Sequence, residues 1–162
     1  MSKSEYVQFD LLKLTESSNT MIIPNGYFNG NSVTSFNISN NGVLKSIVIG
    51  DNSYGKVREF DLDGLSELES VVIGQKSFRI SDAERNDGSY RIVNCPKLKS
   101  IQIGDYSFGD YHSFELNNLP SLQSIDIGYC CFYWIPSLSL TGLISCLANR
   151  YRLSSTAINQ TC

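Results

Sequence analysis

The strongest constraint on this chain is that it repeats itself. LKSIVIGDNSY from Leu44, LESVVIGQKSF from Leu68, LKSIQIGDYSF from Leu98 and LQSIDIGYCCF from Leu122 align without gaps, at intervals of 24, 30 and 24 residues. A period of this length marks a solenoid. One coil is too small to cover its own apolar side chains and gains a core only by stacking on its neighbours. The long interval holds a polar insertion of about six residues within Ser81–Ser89, ending in Asp-Gly, which reads as a loop extruded from a regular coil.

A second element follows each copy: FDLDGL at Phe60, YRIVNC at Tyr90, FELNNL at Phe114 and LSLTGL at Leu138. FNISNN at Phe36 is an earlier copy, and FDLLKL at Phe9 reads either as one more, degenerate or half-built, or as part of a short helix with Tyr6, Phe9 and Leu12 on one face. In LxSIxIG the β-branched residues alternate, so Ile47 and Ile49, with their counterparts in the other copies, point to one side of a short half-buried strand. FxL is a second short strand. Gly50, Gly74, Gly104 and Gly128 end the first strand, where a left-handed backbone is expected. Tyr54, Phe78, Phe108 and Phe132 then return to the core. Ser46, Ser70, Ser100 and Ser124 recur before the inner strand and suggest a stacked hydroxyl ladder. The expected fold is mainly β: a solenoid of about five coils of ~24 residues, with two short parallel strands per coil and short terminal caps.

The repeat sets the boundaries. Residues 1–20 form an N-terminal cap or degenerate half-repeat, residues 21–143 the solenoid, and residues 144–162 a capping helix and tail. Ile144, Leu147 and Tyr151 stand at helical spacing.

The pattern LxxIxIG…SF…FxLxxLPxL resembles leucine-rich-repeat proteins, nearest to the irregular BspA-like repeats of bacterial and protist surface proteins. The likeness covers about residues 36–143 well and 21–35 loosely. Glycine stands after the strand where many leucine-rich repeats carry a laddered asparagine. The resemblance implies protein or glycan recognition, often in adhesion at a cell surface, with no cofactor and no catalysis.

Charge narrows the partners. The net charge is −3 and the 13 basic residues are scattered, Arg150 and Arg152 being the nearest to a cluster. That gives no electrostatic case for nucleic acid or an anionic membrane. No apolar run reaches the roughly 18–20 residues of a membrane span. MSKSEYVQFDLLKL has too short an apolar stretch for a secretory signal, so the chain is expected to be cytosolic or cut from something larger. Of five cysteines, Cys95 takes a leucine position and reads as a small buried hydrophobe. Cys130, Cys131, Cys146 and Cys162 would make one or two bridges around a C-terminal cap. No pair has CxxC spacing and His112 is distant, so no metal site is expected.

Positions that differ between coils are not needed by the scaffold and are the candidates for ligand choice. Between the two inner positions of the first strand they are Val48, Val72, Gln102 and Asp126. Tyr106 and Tyr111, extended by Tyr129, Tyr133 and Trp134, would add an aromatic edge suited to a protein or carbohydrate partner. His112 reads as a surface-loop histidine. The expected function is a non-catalytic recognition or adhesion module. The alternative is a structural array unit that self-associates end to end through open coils or Cys162. A polysaccharide-active β-helix enzyme is less favoured: Asp61, Arg91 and Glu115 occupy equivalent places on three successive coils, and cross-coil pairing explains them equally well. Asn37-Ile-Ser39 and Asn159-Gln-Thr161 would accept glycans in a secreted protein.

Overall fold

The structure, a computed structural model, describes residues 19–30, 32–80, 88–132 and 137–141. Residues 1–18 of the proposed N-terminal cap, the capping helix and tail, most of the insertion, Tyr133, Trp134, Cys146 and Cys162 lie outside the described residues.

Among the described residues ten short strands follow one another: β1 (Thr20–Ile23), β2 (Ser35–Ser39), β3 (Ser46–Ile49), β4 (Glu59–Asp63), β5 (Ser70–Ile73), β6 (Gly88–Val93), β7 (Ser100–Ile103), β8 (Tyr111–Asn117), β9 (Ser124–Ile127) and β10 (Ser137–Thr141). Odd-numbered strands form one sheet in the order β1-β3-β5-β7-β9, called sheet A here. Even-numbered strands form the other, β10-β8-β6-β4-β2, called sheet B. Every pairing is parallel, so each step from one odd strand to the next is one turn of a coil, and β1 and β9 are four turns apart. No helix occurs among the described residues. The solenoid read from the repeat is therefore present. Gly88 and Ser89, read as the end of the insertion, belong to β6.

Register places like on like. Met21, Ile47, Val71, Ile101 and Ile125 form one inward column of sheet A, with Ile23, Ile49, Ile73, Ile103 and Ile127 beside it. All ten are buried. Cys95 shares the buried position of Leu65 and Leu119, and its thiol donates to the Val93 carbonyl at 3.2 Å. Burial pushes that thiol up to about 11.

Two aromatic columns fill the space between the sheets. Phe28, Tyr54, Phe78, Phe108 and Phe132 stack face to face at 4.7–5.1 Å. Phe36, Phe60, Tyr90 and Phe114 stack at 4.9–5.2 Å. These separations match the spacing of about 4.8 Å between neighbouring strands, so strand pairing itself sets the stacking distance. The columns meet edge to face, as Phe60 does with Phe78 at 5.2 Å, which suits the ring quadrupole.

The left-handed backbone falls elsewhere than expected. Gly50, Gly74, Gly104 and Gly128 do not have positive φ. A side chain is excluded there by the previous coil: a Cβ on Gly74 would stand 2.6 Å from the Asp51 nitrogen and 2.7 Å from the Gly50 carbonyl carbon. Left-handed residues recur twice in the turn that follows, at Asn52, Lys76, Tyr106 and Cys130 and again at the returning aromatics Phe28, Tyr54, Phe78, Phe108 and Phe132, with φ between 51° and 59°. Non-glycine residues rarely adopt this conformation, so core packing of the rings offsets its strain.

The hydroxyl ladder is also displaced. Ser46 and Ser70 do share a hydrogen bond of 2.8 Å, but on the half-buried outer face. The buried ladder is Ser53, Ser77 and Ser107, one residue before each aromatic. The Ser77 hydroxyl donates to the Gly50 carbonyl at 2.8 Å and that of Ser107 to the Gly74 carbonyl at 2.8 Å. Each hydroxyl in turn accepts from the previous coil, Ser53 N–H to Ser77 at 3.2 Å and Ser77 N–H to Ser107 at 3.1 Å. Cys131 continues the position, its thiol 3.1 Å from the Gly104 carbonyl.

Candidate functional site

Strand alternation leaves each sheet one outer face. On sheet A the variable positions come together as a single column, Ile22–Val48–Val72–Gln102–Asp126. The hydroxyl column Thr20–Ser46–Ser70–Ser100–Ser124 runs beside it. The column is apolar over its first three coils and polar over the last two. Ile22 is 60% exposed, a large cost for a residue with no scaffold duty on that side. Sequence reading did not single it out because its segment matches the repeat loosely. The signal was present: TMIIPNGYF has the same alternation and the same returning aromatic as SIVIGDNSY. At the rim, Lys99 pairs with Glu69 at 2.6 Å, and this hydrogen bond holds the Glu69 carboxyl below the usual carboxylate range.

Two of the predicted tyrosines flank this face. Tyr106 and Tyr129 sit in the turns that leave β7 and β9, 39% and 45% exposed, with ring centroids 5.8 Å apart in an edge-to-face pair. Asp105 fixes the turn by accepting the Tyr129 N–H at 2.8 Å. Tyr111 is a correction: it is fully buried, packs edge-on against Phe108 at 4.8 Å and donates its hydroxyl to the Val57 carbonyl at 2.7 Å. An aromatic with an internal acceptor inside the coil is a core residue. His112 is likewise in a strand rather than a loop. Gly88 pairs with Tyr111 and Ser89 with Ser113, so His112 is the extra residue of a bulge in β8, half-buried with its Nδ1 shielded and unbonded.

The outer face of sheet B is charged. Asp61, Arg91 and Glu115 stand in direct register on β4, β6 and β8. The Arg91 Nη1 donates to Asp61 at 2.8 Å and to Asp63 at 3.1 Å, and its Nε lies 3.5 Å from Glu115. Asn94 bonds Asp63 as well, at 2.9 Å, and this bond, with help from Arg91, lowers the Asp63 pKa. This is cross-strand charge pairing, one cation shared by three carboxylates. A shallow groove of about 190 Å³ crosses the same surface, lined by Glu59, Asp61, Ser89, Arg91, Ser113 and Glu115.

No group of three or more metal-ligating side chains and no helix long and apolar enough to cross a membrane occurs among the described residues. No family model, curated protein or solved structure matches the chain.

Proposed function

We propose that this protein is a non-catalytic recognition module that holds a protein or glycan ligand against the outer face of sheet A. One observation carries the reading: the residues that vary from coil to coil, and that the core does not use, form one continuous column, and the turns that leave its last two strands carry the exposed Tyr106–Tyr129 pair. An apolar strip, mixed polar groups and accessible aromatic rings are the usual ingredients of a recognition surface. Cross-coil pairing accounts for the Asp61–Arg91–Glu115 row without an active site. Within the solenoid class, the repeat pattern favours kinship with irregular leucine-rich repeats of the BspA-like kind, with which a recognition or adhesion role agrees.

Selection of the displayed protein against a peptide library and a glycan panel tests the reading. Ligands so isolated should be lost on Val72→Asp and on Tyr129→Ala, with the unfolding midpoint unchanged. Ligands indifferent to both substitutions would overturn it.

A further inference from the structure

We propose that the groove on the outer face of sheet B is a second, independent site, which binds a neutral linear oligosaccharide laid across the coils. Its wall includes Tyr90 and Phe114 and is apolar in large part, while its outward-facing side chains supply both donors and acceptors. Among the described residues Glu59 has no ion-pair partner, and the hydroxyls of Ser89 and Ser113 bond no protein group. Arg91 is held on one side by Asp61 and Asp63 through Nη1 and lies against Glu115 through Nε, which leaves Nη2 without a partner among the described residues. The donor at the centre of the groove is thus fixed before any ligand arrives, and a fixed donor loses little freedom on binding.

The groove runs from β4 to β10, three strand spacings or about 14 Å. A pyranose ring is about as long as one strand spacing, so a chain of sugars placed along the groove meets a new set of polar groups at each ring. Carboxylates accept from vicinal hydroxyls, serines both donate and accept, and the guanidinium donates; a polyol uses all three at once. An extended peptide would not, because the groove lies on the sheet face, where no backbone edge is open for strand pairing.

Charge selects within the class. Glu59, Asp61, Asp63 and Glu115 against Arg91 give four negative charges to one positive, a formal balance of −3 that opposes uronates and sulfated sugars.

The test is a titration of the isotope-labelled protein, read by amide chemical shifts, with neutral gluco-, manno- and N-acetylglucosamine hexasaccharides and with hexagalacturonate. At least one neutral sugar should give saturable shifts at residues 59–61, 89–91 and 113–115, and hexagalacturonate should give none. Ser113→Trp, which fills the groove from an outward-facing position, should abolish binding. Arg91→Lys, which loses the planar fork, should weaken it about tenfold. Both variants should keep the parent unfolding midpoint to within a few degrees. The inference fails if no neutral sugar saturates, if the acidic one binds equally, if affinity survives Ser113→Trp, or if the shifts fall on sheet A. That last result would leave the recognition face of sheet A standing while removing the groove.

Discussion

Ser77→Ala separates a buried hydrogen-bond ladder from a merely repeated residue. The Ser77 hydroxyl holds two groups on different segments: it donates to the Gly50 carbonyl at 2.8 Å and accepts the buried Ser53 N–H at 3.2 Å. Alanine leaves both without these partners. A buried amide left unbonded costs about 2 kcal/mol and a half-buried carbonyl about 1 kcal/mol, so the loss should be about 3 kcal/mol. For a domain of this size that is a fall of roughly 6–12 °C in unfolding midpoint. Ser70→Ala is the control, because the 2.8 Å bond from Ser46 to Ser70 lies on the half-buried outer face, where water replaces it. It should cost no more than about 0.5 kcal/mol. Ser77→Cys should recover part of the alanine loss, since Cys131 fills the same place in a later coil with its thiol 3.1 Å from a carbonyl. Urea unfolding followed by circular dichroism measures all three. Equal losses at Ser70 and Ser77, or no loss at Ser77, would refute the ladder.

Tyrosines in the core should respond with opposite signs. Tyr90 buries its hydroxyl without a partner, so Tyr90→Phe should raise stability by about 1 kcal/mol, whereas Tyr111→Phe, which loses the 2.7 Å bond to Val57, should lower it by about 1 kcal/mol in the same urea assay. Gly74→Ala should destabilise by several kcal/mol because its Cβ would enter the Asp51 backbone, while Gly109→Ala, with nothing within 4 Å, should be near neutral by thermal unfolding. The Asp63 pKa is lowered on folding, first by Asn94 and then by Arg91, so its contribution is full above the unfolded value of about 4 and fades as pH falls through the lower folded value. Melting curves between about pH 5 and about pH 2 should therefore show a shallower acid loss for Asp63→Asn than for the parent, and identical slopes would contradict the linkage.

Much of the fold was legible because a solenoid writes its geometry into its period. The intervals between Leu44, Leu68, Leu98 and Leu122 gave the coil, and the alternation in SIVI and EFDLD gave both strands and their inward sides. Repetition alone does not say which face a recurring serine occupies. Ser70 recurs in all four copies and Ser77 in three, with Cys131 in the fourth, and only the path of the turn buries the second column. The glycines were located correctly but for the wrong reason: the turn brings the previous coil's backbone against them and gives the left-handed conformation to the aromatics instead. Of the candidate site, the column Val48–Val72–Gln102–Asp126 followed from strand alternation, whereas Tyr111 was misplaced because the bulge at His112 shifts the register in a way no spacing announces.

The most direct measurement is one library of all substitutions at Ile22, Val48, Val72, Gln102 and Asp126, sorted twice, once for folded display and once for capture of ligands selected from the peptide and glycan panels. A recognition face predicts that most substitutions leave folding intact while changing capture strongly, with charges at Val48 and Val72 the most damaging. A column that loses folding and capture together, or neither, would show that its variation belongs to the scaffold or to an idle solvated surface.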